Sequence, residues 1–396
     1  MNIDVKANKP IYLDNQSTTP VDPRVLEVMF PYFSQKFGNP HSNSHFYGWE
    51  VAEAVDIARE QVAAMIGAEK EEIFFTSGAT ESNNIAIKGV ARYYKNHRNH
   101  VITCVTEHMC VLDSAFQLEK EGFDVTYLRV DKAGLLDLDE LKRSITNKTI
   151  LVSVMAVQNE IGIIQPLSEI GAICAEQKVF FHTDAAQAIG KIPMNVREMN
   201  VNLLSLTAHK VYGPMGVGAI FVSKSPQVKL DPIFNGGGQE NGLRSGTLSP
   251  ALCVGFGRAL ELAMIEMNSE AAQLIEWRDY FWNHLRRELS GLHLNGSQTH
   301  RVAGNLNISV EGVNADSLMS ILSDLAFSSG SACTSESEES SHVLKSIGLS
   351  NELAEASFRV GLGRFNTKKD VEFSAGRFVE AIREIRSNRS QTVAAE

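Results

Sequence analysis

Between about residue 70 and residue 225, short apolar runs alternate with segments of helical spacing. The runs are rich in Val, Ile and Phe and lack polar alternation, as do strands that are covered on both faces. Segments such as Glu81–Tyr94 and Leu167–Gln177 instead place their apolar residues at helical spacing. This alternation predicts an α/β fold with a mostly parallel, seven-stranded sheet. The predicted strands are Glu72–Thr76, Val101–Val105, Val125–Val130, Ile150–Val157, Val179–Thr183, Leu203–Leu206 and Gly218–Val222.

The pattern changes beyond residue 250. A long helix is predicted over residues 250–290, and the strand Leu306–Val310, the helix Asp316–Leu325, the strand Ser357–Leu362 and a final helix follow it. We therefore predict a large α/β domain over residues 16–258 and a smaller α+β domain from residues 1–15 and 259–396. The polar tail Ser387–Glu396 is expected to be disordered, because it offers little apolar surface to bury.

Composition excludes several classes of protein. The net charge of −10 over 396 residues argues against a nucleic-acid-binding surface. The first ten residues are polar, and no apolar run approaches the roughly 18 residues of a bilayer span, so we expect a cytoplasmic protein. The five cysteines form no CxxC pair, which argues against structural zinc, and their odd number favours reduced thiols.

Four candidate sites lie at the ends of predicted strands, where ligands bind in open α/β sheets, and the fourth of them is the Cys333 loop. In Thr76–Ser82 a strand ends, a glycine turn follows and a helix begins, so free N–H groups could bind an anion. An ordinary helix cap by Ser77 or Thr80 is the alternative, and from this segment alone it is favoured.

The second and third sites carry an acid and a lysine. Asp184 lies at the end of an apolar predicted strand. Burying a carboxylate there costs free energy unless it has a cationic partner, such as a protonated pyridine nitrogen. Lys210 follows the next strand, where a desolvated amine can form a Schiff base. A capping aspartate and a solvated loop lysine are the alternatives. Together, an acid for the ring nitrogen and a lysine for the aldehyde match the needs of pyridoxal phosphate.

Cys333 stands apart from the other cysteines, because it lies in the Gly/Ser-rich segment Ser328–Ser335. A thiol on such a loop is expected to be accessible and mobile. A buried, inert cysteine is the commoner state of this residue, but the polar neighbours of Cys333 argue against it.

Taken together, these segments resemble the cysteine desulfurases among the fold-type-I pyridoxal-phosphate enzymes of the class-V aminotransferase family. The resemblance covers nearly the whole chain and points to the subgroup that serves iron–sulfur cluster assembly. The Ser-Ser-Gly-Ser-Ala-Cys-Thr-Ser segment is its most specific motif. The matching segments are Tyr12–Asn15, Phe37–Pro40, Thr76–Ser82, Thr106–His108, Asn159–Gly162, His182–Gln187, His209–Lys210, Arg244–Thr247, Ser328–Ser335 and Arg359.

The resemblance implies roles for residues around the cofactor. Lys210 would hold pyridoxal phosphate covalently and later move the Cα proton. Asp184 would pair with the ring nitrogen, Gln187 would bind the ring oxygen, and His108 would stack on the ring and assist proton transfer. The phosphate would be held by Ala79, Thr80, Thr207 and His209 and, from the other subunit of a homodimer, by Thr247.

The resemblance also implies how L-cysteine is bound and where its sulfur goes. Asn159 and Arg359 would bind the substrate carboxylate, for which a planar guanidinium is well suited. Cys333, on a loop over residues 328–341, would take the sulfur as a persulfide and leave alanine as the other product. The persulfide would pass to an iron–sulfur scaffold protein, where Cys333 could act as a transient cluster ligand, to other acceptor proteins, or toward tRNA thiolation.

Two other classes of function stay open at this point. Another fold-type-I enzyme, such as a selenocysteine lyase or an aminotransferase, would need Lys210 and Asp184 but not Cys333. A non-catalytic docking partner would need only the fold. Three positions also depart from close relatives: Asn43 replaces an arginine, Gln158 an asparagine and Met215 a lysine.

Overall fold

The computed structural model of the chain describes residues 9–330 and 340–395. A seven-stranded sheet has the order β2-β8-β7-β6-β5-β3-β4, in which β8 runs antiparallel to both neighbours and the other four pairs are parallel. The predicted fold class is thereby confirmed. The strands are β1 Ile11–Tyr12, β2 Ile73–Thr76, β3 His100–Cys104, β4 Asp124–Leu128, β5 Thr149–Ser153, β6 Phe180–Asp184, β7 Leu203–Thr207, β8 Gly218–Val222, β9 Leu292–Leu294, β10 Asn305–Val310, β11 Leu325–Ala326, β12 Ser328–Ser329 and β13 Ser357–Gly361.

Helices cover both faces of this sheet. Successive side chains of a strand point to opposite faces of the sheet, so Leu203 packs in the core on one face and Leu204 in the core on the other. Because both faces are buried, polar and apolar residues do not alternate along these strands. The helices are α1 Pro23–Met29, α2 Pro31–Ser34, α3 Phe46–Ile66, α4 Ala79–Asn84, α5 Val90–Tyr94, α6 Met109–Lys120, α7 Leu138–Ser144, α8 Leu167–Glu176, α9 Pro250–Glu288, α10 Ala315–Ile321, α11 His342–Ser346, α12 Asn351–Glu355 and α13 Lys368–Ala395.

A second sheet, of order β12-β13-β10-β9, has its own hydrophobic core with α9 and α13. Helix α9 is 39 residues long and belongs to both cores. Phe256 and Leu260 in its first half pack in the core of the large sheet, and Phe281 and Leu285 in its second half pack in the smaller one. The domain boundary at residue 258 stays a prediction.

Some element boundaries differ from those predicted. The predicted helix Glu81–Tyr94 begins earlier, at Ala79, and contains a π-helical turn over Ile85–Gly89. Strand β5 ends at Ser153, although the chain stays buried through Val157 and the N–H groups of Val154 and Ala156 still donate to the carbonyl oxygens of His182 and Asp184 in β6.

The expectation of a disordered tail is wrong, because α13 continues to Ala395. A helix already held by packed residues such as Phe378 and Ile382 adds further turns without a new nucleation step. Neither α9 nor α13, nor any shorter helix in the described part of the chain, combines the length and hydropathy of a bilayer span.

Candidate active site

One cavity of about 570 Å³ lies at the carboxyl ends of β6 and β7, beside the start of α4. Ten of the residues predicted for the site line it, so residues from distant parts of the chain meet here. They are Ala79, Thr80, His108, Asn159, Asp184, Gln187, Thr207, His209, Lys210 and Arg359. Thr247 is exposed and does not line the cavity of its own chain. Cys333 lies outside the described residues.

Asp184 is the last residue of β6 and is buried. Its Oδ1 accepts a hydrogen bond from the Ala186 N–H at 2.8 Å, and its Oδ2 accepts one from Asn83 Nδ2 at 2.6 Å. Among the described lysines and arginines, none forms an ion pair with Asp184. A buried carboxylate that is oriented by two donors and has no protein cation is suited to a protonated ring nitrogen.

Lys210 lies on the strand next to Asp184, because β6 pairs with β7 and a short 3₁₀ turn, Ala208–Lys210, follows β7. Its amine donates hydrogen bonds to the carbonyl oxygens of Gln16 and Ser17. The Gln187 amide donates to the same Gln16 carbonyl at 2.7 Å. The segment after β1 therefore fixes both the lysine and the glutamine that are predicted to hold the cofactor.

The segment predicted to bind an anion forms the start of a helix at the cavity. Gly78 has φ of 152°, no side chain caps the helical segment that starts at Ala79, and Ala79 and Thr80, whose N–H groups begin this segment, line the cavity. The Glu81 carboxylate next to this site is neutralised by Arg244, whose Nε lies 2.7 Å away. Burial, together with the charge of Lys210, lowers the pKa of His209 to about 4, so this imidazole is neutral and acts by hydrogen bonding.

His108 caps helix α6, because its Nδ1 accepts a hydrogen bond from the Cys110 N–H at 3.2 Å. This bond places the proton of the neutral ring on Nε2. Burial lowers the pKa of His108, and the charge of Asp184 opposes that shift. A neutral imidazole with one acceptor already in use can donate from Nε2 into the cavity.

Several residues at the site were missed from the sequence. Cys110 lines the cavity with its Sγ 3.1 Å from His108 Nδ1, and Asn83 orients Asp184. A weak signal for Asn83 was available, since it lies three residues after Thr80 on the same helix face. Gln16 gave no such signal, because its contribution is a backbone carbonyl.

The four described thiols are all poorly suited to nucleophilic attack. Burial raises the pKa of Cys104 to about 11 and the pKa values of Cys110, Cys174 and Cys253 to about 12. At neutral pH each of these thiols is therefore protonated, and only the thiolate is a strong nucleophile.

Arg359 lies on β13 with 2% of its surface exposed. Its Nη1 donates to the Asn159 carbonyl at 2.9 Å, and its Nη2 forms an ion pair with Asp14 at 2.8 Å and contacts Ser328 Oγ at 3.2 Å. Its buried Nε–H finds no acceptor within the described chain. The guanidinium is therefore held rigidly at the wall of the cavity, which Arg359 lines.

Two of the positions that depart from relatives also belong to this region. Gln158 Oε1 accepts hydrogen bonds from the N–H groups of Glu160 and Ile161 at 2.6 and 2.8 Å, so it shapes the turn that carries Asn159. Met215 lines the cavity. Asn43 accepts a hydrogen bond at its backbone oxygen from Trp49 Nε1, away from the cavity.

The donor set fits pyridoxal phosphate. The buried carboxylate of Asp184, which has no protein cation, lines the cavity. Gly78, at the start of a helix, lines it as well, and so does Lys210, whose amine lies at the same edge of the sheet. In the described ranges, no group of three or more His, Cys, Asp or Glu residues is arranged to hold a metal ion.

Comparison with known proteins agrees with this chemistry. The aminotransferase class-V family model matches residues 11–373. Proteins named cysteine desulfurase IscS from Rickettsia typhi and Rickettsia prowazekii are each 53% identical over 377 residues, which cover 95% of this chain and 92% of theirs.

Solved structures are similar over the same extent. A NifS-like protein superposes with a TM-score of 0.88 at 36% identity, covering 96% of this chain and 99% of its own. The structure titled SspA in complex with cysteine has a TM-score of 0.80 at 38% identity, covering 90% and 100%. The chain therefore belongs to the class-V aminotransferase family and, within it, to the pyridoxal-phosphate-dependent cysteine desulfurases.

Proposed function

We propose that this chain removes sulfur from L-cysteine, gives L-alanine and carries the sulfur as a persulfide on Cys333. The observation that carries the proposal is the single cavity in which Lys210, Asp184 and Arg359 meet. An amine, an acid for the ring nitrogen and a fixed guanidinium are what a cofactor and an amino-acid carboxylate require.

Each residue has a task that its surroundings support. Pyridoxal phosphate, when bound, supplies the electron sink that lets bonds at the substrate carbons break. Asp184 holds a proton on the ring nitrogen, because Asn83 and the Ala186 N–H keep its carboxylate in place. Lys210 carries the proton to and from the substrate Cα, and Arg359 with Asn159 holds the substrate carboxylate.

The sulfur step is balanced without an added oxidant. The thiolate of Cys333 attacks the substrate sulfur, an S–S bond forms, and the C–S bond breaks. Its electron pair goes to the carbon fragment, which takes up a proton and leaves as alanine. The high pKa values of the four described thiols support Cys333 as the carrier, since none of them is a thiolate at neutral pH.

We further propose a homodimer with composite active sites. Thr247 is exposed and lies outside the cavity of its own chain, which suits a contact made to the neighbouring subunit. A run of aromatic residues over 30–49 is also exposed: Phe30 by 68%, Phe33 by 62%, Phe37 by 66%, Phe46 by 64% and Trp49 by 55%. Exposed apolar surface of this kind usually marks an interface, and a second copy of the chain would cover it.

A mixed-dimer experiment tests the composite site. Lys210→Ala and Thr247→Ala chains are each expected to have low activity. If Thr247 acts across the interface, one site of a mixed dimer has both residues intact, so mixing should restore up to about half of the wild-type activity per dimer. No recovery on mixing would show that Thr247 acts within its own chain or not at all.

The persulfide is proposed to pass to an iron–sulfur scaffold protein and to other acceptor proteins, including those that lead to tRNA thiolation. The resemblance to the cluster-assembly subgroup supports these partners. The cytoplasmic location expected from the sequence stays a prediction.

The proposed reaction is tested with Cys333→Ser, measured for sulfide and alanine released from L-cysteine with a thiol reductant present. The variant should keep the visible absorbance of the bound cofactor and should release almost no sulfide. Ser variants of Cys104, Cys174 and Cys253 serve as matched controls and should keep most of their turnover. Normal sulfide release by Cys333→Ser would favour a lyase, and absence of visible absorbance in the wild type would favour a non-catalytic partner.

A further inference from the structure

Lys191 is a charged residue next to the site that has no task in the reaction above. It follows Gly190, whose φ is 71° and where an added Cβ would lie 2.4 Å from Val211 Cγ2. The turn therefore requires glycine at this position. It directs Lys191 back toward Gln187, four residues earlier, and Lys191 Nζ donates a hydrogen bond to Gln187 Oε1 at 2.9 Å.

The contact determines which end of the Gln187 amide is directed at Lys191. The ammonium form of lysine has donors and no acceptor, so it must meet the amide oxygen. The Gln187 nitrogen lies at the other end, where it donates to the Gln16 carbonyl at 2.7 Å. That nitrogen has two hydrogens, and Gln187 lines the active-site cavity, so the second hydrogen is available to an acceptor there. Without Lys191 the amide oxygen would lose its partner, and the opposite orientation would become accessible.

The surroundings of Lys191 favour this one hydrogen bond. The half-buried side chain lines a small cavity of about 30 Å³ together with Tyr212 and Glu270. Glu270 is already bound by Tyr212 Oη at 3.0 Å and by Arg364 Nε at 2.9 Å. Throughout the described chain, no carboxylate lies within ion-pair distance of Lys191.

The charge of Lys191 is also close to that of the active site. Burial lowers the pKa of Lys191 to about 7, and the positive charges of Lys210 and Arg359 add to the effect while Glu270 opposes it. The amine donates a hydrogen bond in either protonation state.

We infer that Lys191 is a positioning residue of the active site, which holds the Gln187 amide with its nitrogen toward the oxygen on the cofactor ring. The inference rests on the proposed role of Gln187 in binding that oxygen. A hydrogen-bond donor to this ring oxygen favours the form of the bound cofactor in which the oxygen is deprotonated. Lys191 should therefore lower the pKa of the bound cofactor and strengthen its binding.

The test uses the Lys191→Met variant of the full-length holoenzyme, and measures two properties besides activity. The first is the pH at which the visible absorbance of the bound cofactor changes, which should rise by about one unit. The second is the dissociation constant of pyridoxal phosphate, which should rise roughly threefold to tenfold, as expected for the loss of one hydrogen bond. Lys191→Arg keeps a donor and should recover most of both effects.

Lys142→Met is the matched control, because this lysine is exposed and its nearest carboxylate oxygen, on Glu176, is 3.8 Å away. It should change neither property. Should Lys191→Met fail to fold, Lys191→Leu provides a second apolar replacement. Unchanged absorbance pKa and cofactor affinity in the folded apolar variant would overturn the inference.

A double-mutant cycle with Gln187→Leu separates this inference from the proposed function. If Lys191 acts through Gln187, Gln187→Leu alone should raise the pKa of the bound cofactor, and adding Lys191→Met should change it little further. If Gln187→Leu has the effect and Lys191→Met does not, the positioning role is wrong and the cofactor site stands. If Gln187→Leu has no effect on the bound cofactor, the proposed role of Gln187 is itself wrong, and the inference falls with it.

Discussion

Replacement of Arg359 is the most direct test of how the substrate would be held. The guanidinium is buried, its Nη atoms contact Asn159, Asp14 and Ser328, and Arg359 lines the cavity. Arg359→Lys keeps a positive charge for Asp14 but removes the planar fork. A hydrogen bond to a charged group contributes about 1.5–3 kcal/mol, so the loss of one substrate contact should raise KM for L-cysteine roughly 10-fold to 100-fold.

Arg359→Ala should raise KM further and should also destabilise the protein. Asp14 would lose its ion-pair partner, and breaking a buried pair costs about 3–5 kcal/mol of unfolding free energy. Because the side chain of Asp14 is 17% exposed, we expect the lower end of that range. The lysine variant is therefore the better probe of binding, and the alanine variant reports on the ion pair as well.

The assay is steady-state sulfide release against L-cysteine concentration, with the visible absorbance and the denaturant midpoint recorded for each variant. The absorbance should be retained, since Arg359 has no proposed contact with the cofactor. Arg377→Lys is the matched control, because Arg377 also pairs with an aspartate, Asp324, but does not line the cavity. If KM in Arg359→Lys equals that of the wild type, the arginine is structural and another residue binds the carboxylate.

Three further predictions follow from the site and its surroundings. Borohydride reduction should fix the cofactor on the peptide that contains Lys210, and a label on any other peptide would show that the lysine is misassigned. Burial raises the pKa of Glu160 from 4.5 to about 7. The contribution of Glu160 to stability is therefore present below pH about 4.5 and is lost as the pH rises through about 7. The unfolding free energy of Glu160→Gln should accordingly rise relative to that of the wild type between pH 5 and pH 8. Hydrogen bonds from Arg24 and Arg364 hold the pKa of Asp22 far below its usual value. The loss of stability in Asp22→Asn, measured by urea unfolding, should therefore be large at pH 7 and should shrink as the pH falls below about 4.

Local patterns predicted the sheet and the edge where the site lies. The start of β7 was placed at Leu203, as observed, and β6 was placed one residue too early, because apolar composition marks a buried strand well and its ends poorly. Asp184 and Lys210 could be paired from the sequence because they follow consecutive strands that turned out to be neighbours.

Contacts between distant segments could not be predicted in this way. The Arg359–Asp14 ion pair joins residues that are 345 positions apart in the sequence. The Gln16 carbonyl, which accepts a hydrogen bond from Lys210, lies 194 positions from that lysine. The local composition around one residue does not indicate such a distant partner. A contact made by a backbone carbonyl is harder still to predict, because every residue type has that carbonyl. The roles of Gln187, Asn159 and Thr247 came from family resemblance alone and stay predictions.

Helix α9 has a consequence for how the molecule unfolds. At about 1.5 Å per residue its 39 residues extend roughly 58 Å, and the same rod contributes side chains to both hydrophobic cores. Neither core can lose its packing without exposing apolar surface on a helix that the other core needs. The two cores should therefore melt in one cooperative transition, with equal calorimetric and van't Hoff enthalpies for each folded unit. Two resolved heat-capacity peaks would show that the helix can fray in its middle and that the cores are energetically independent.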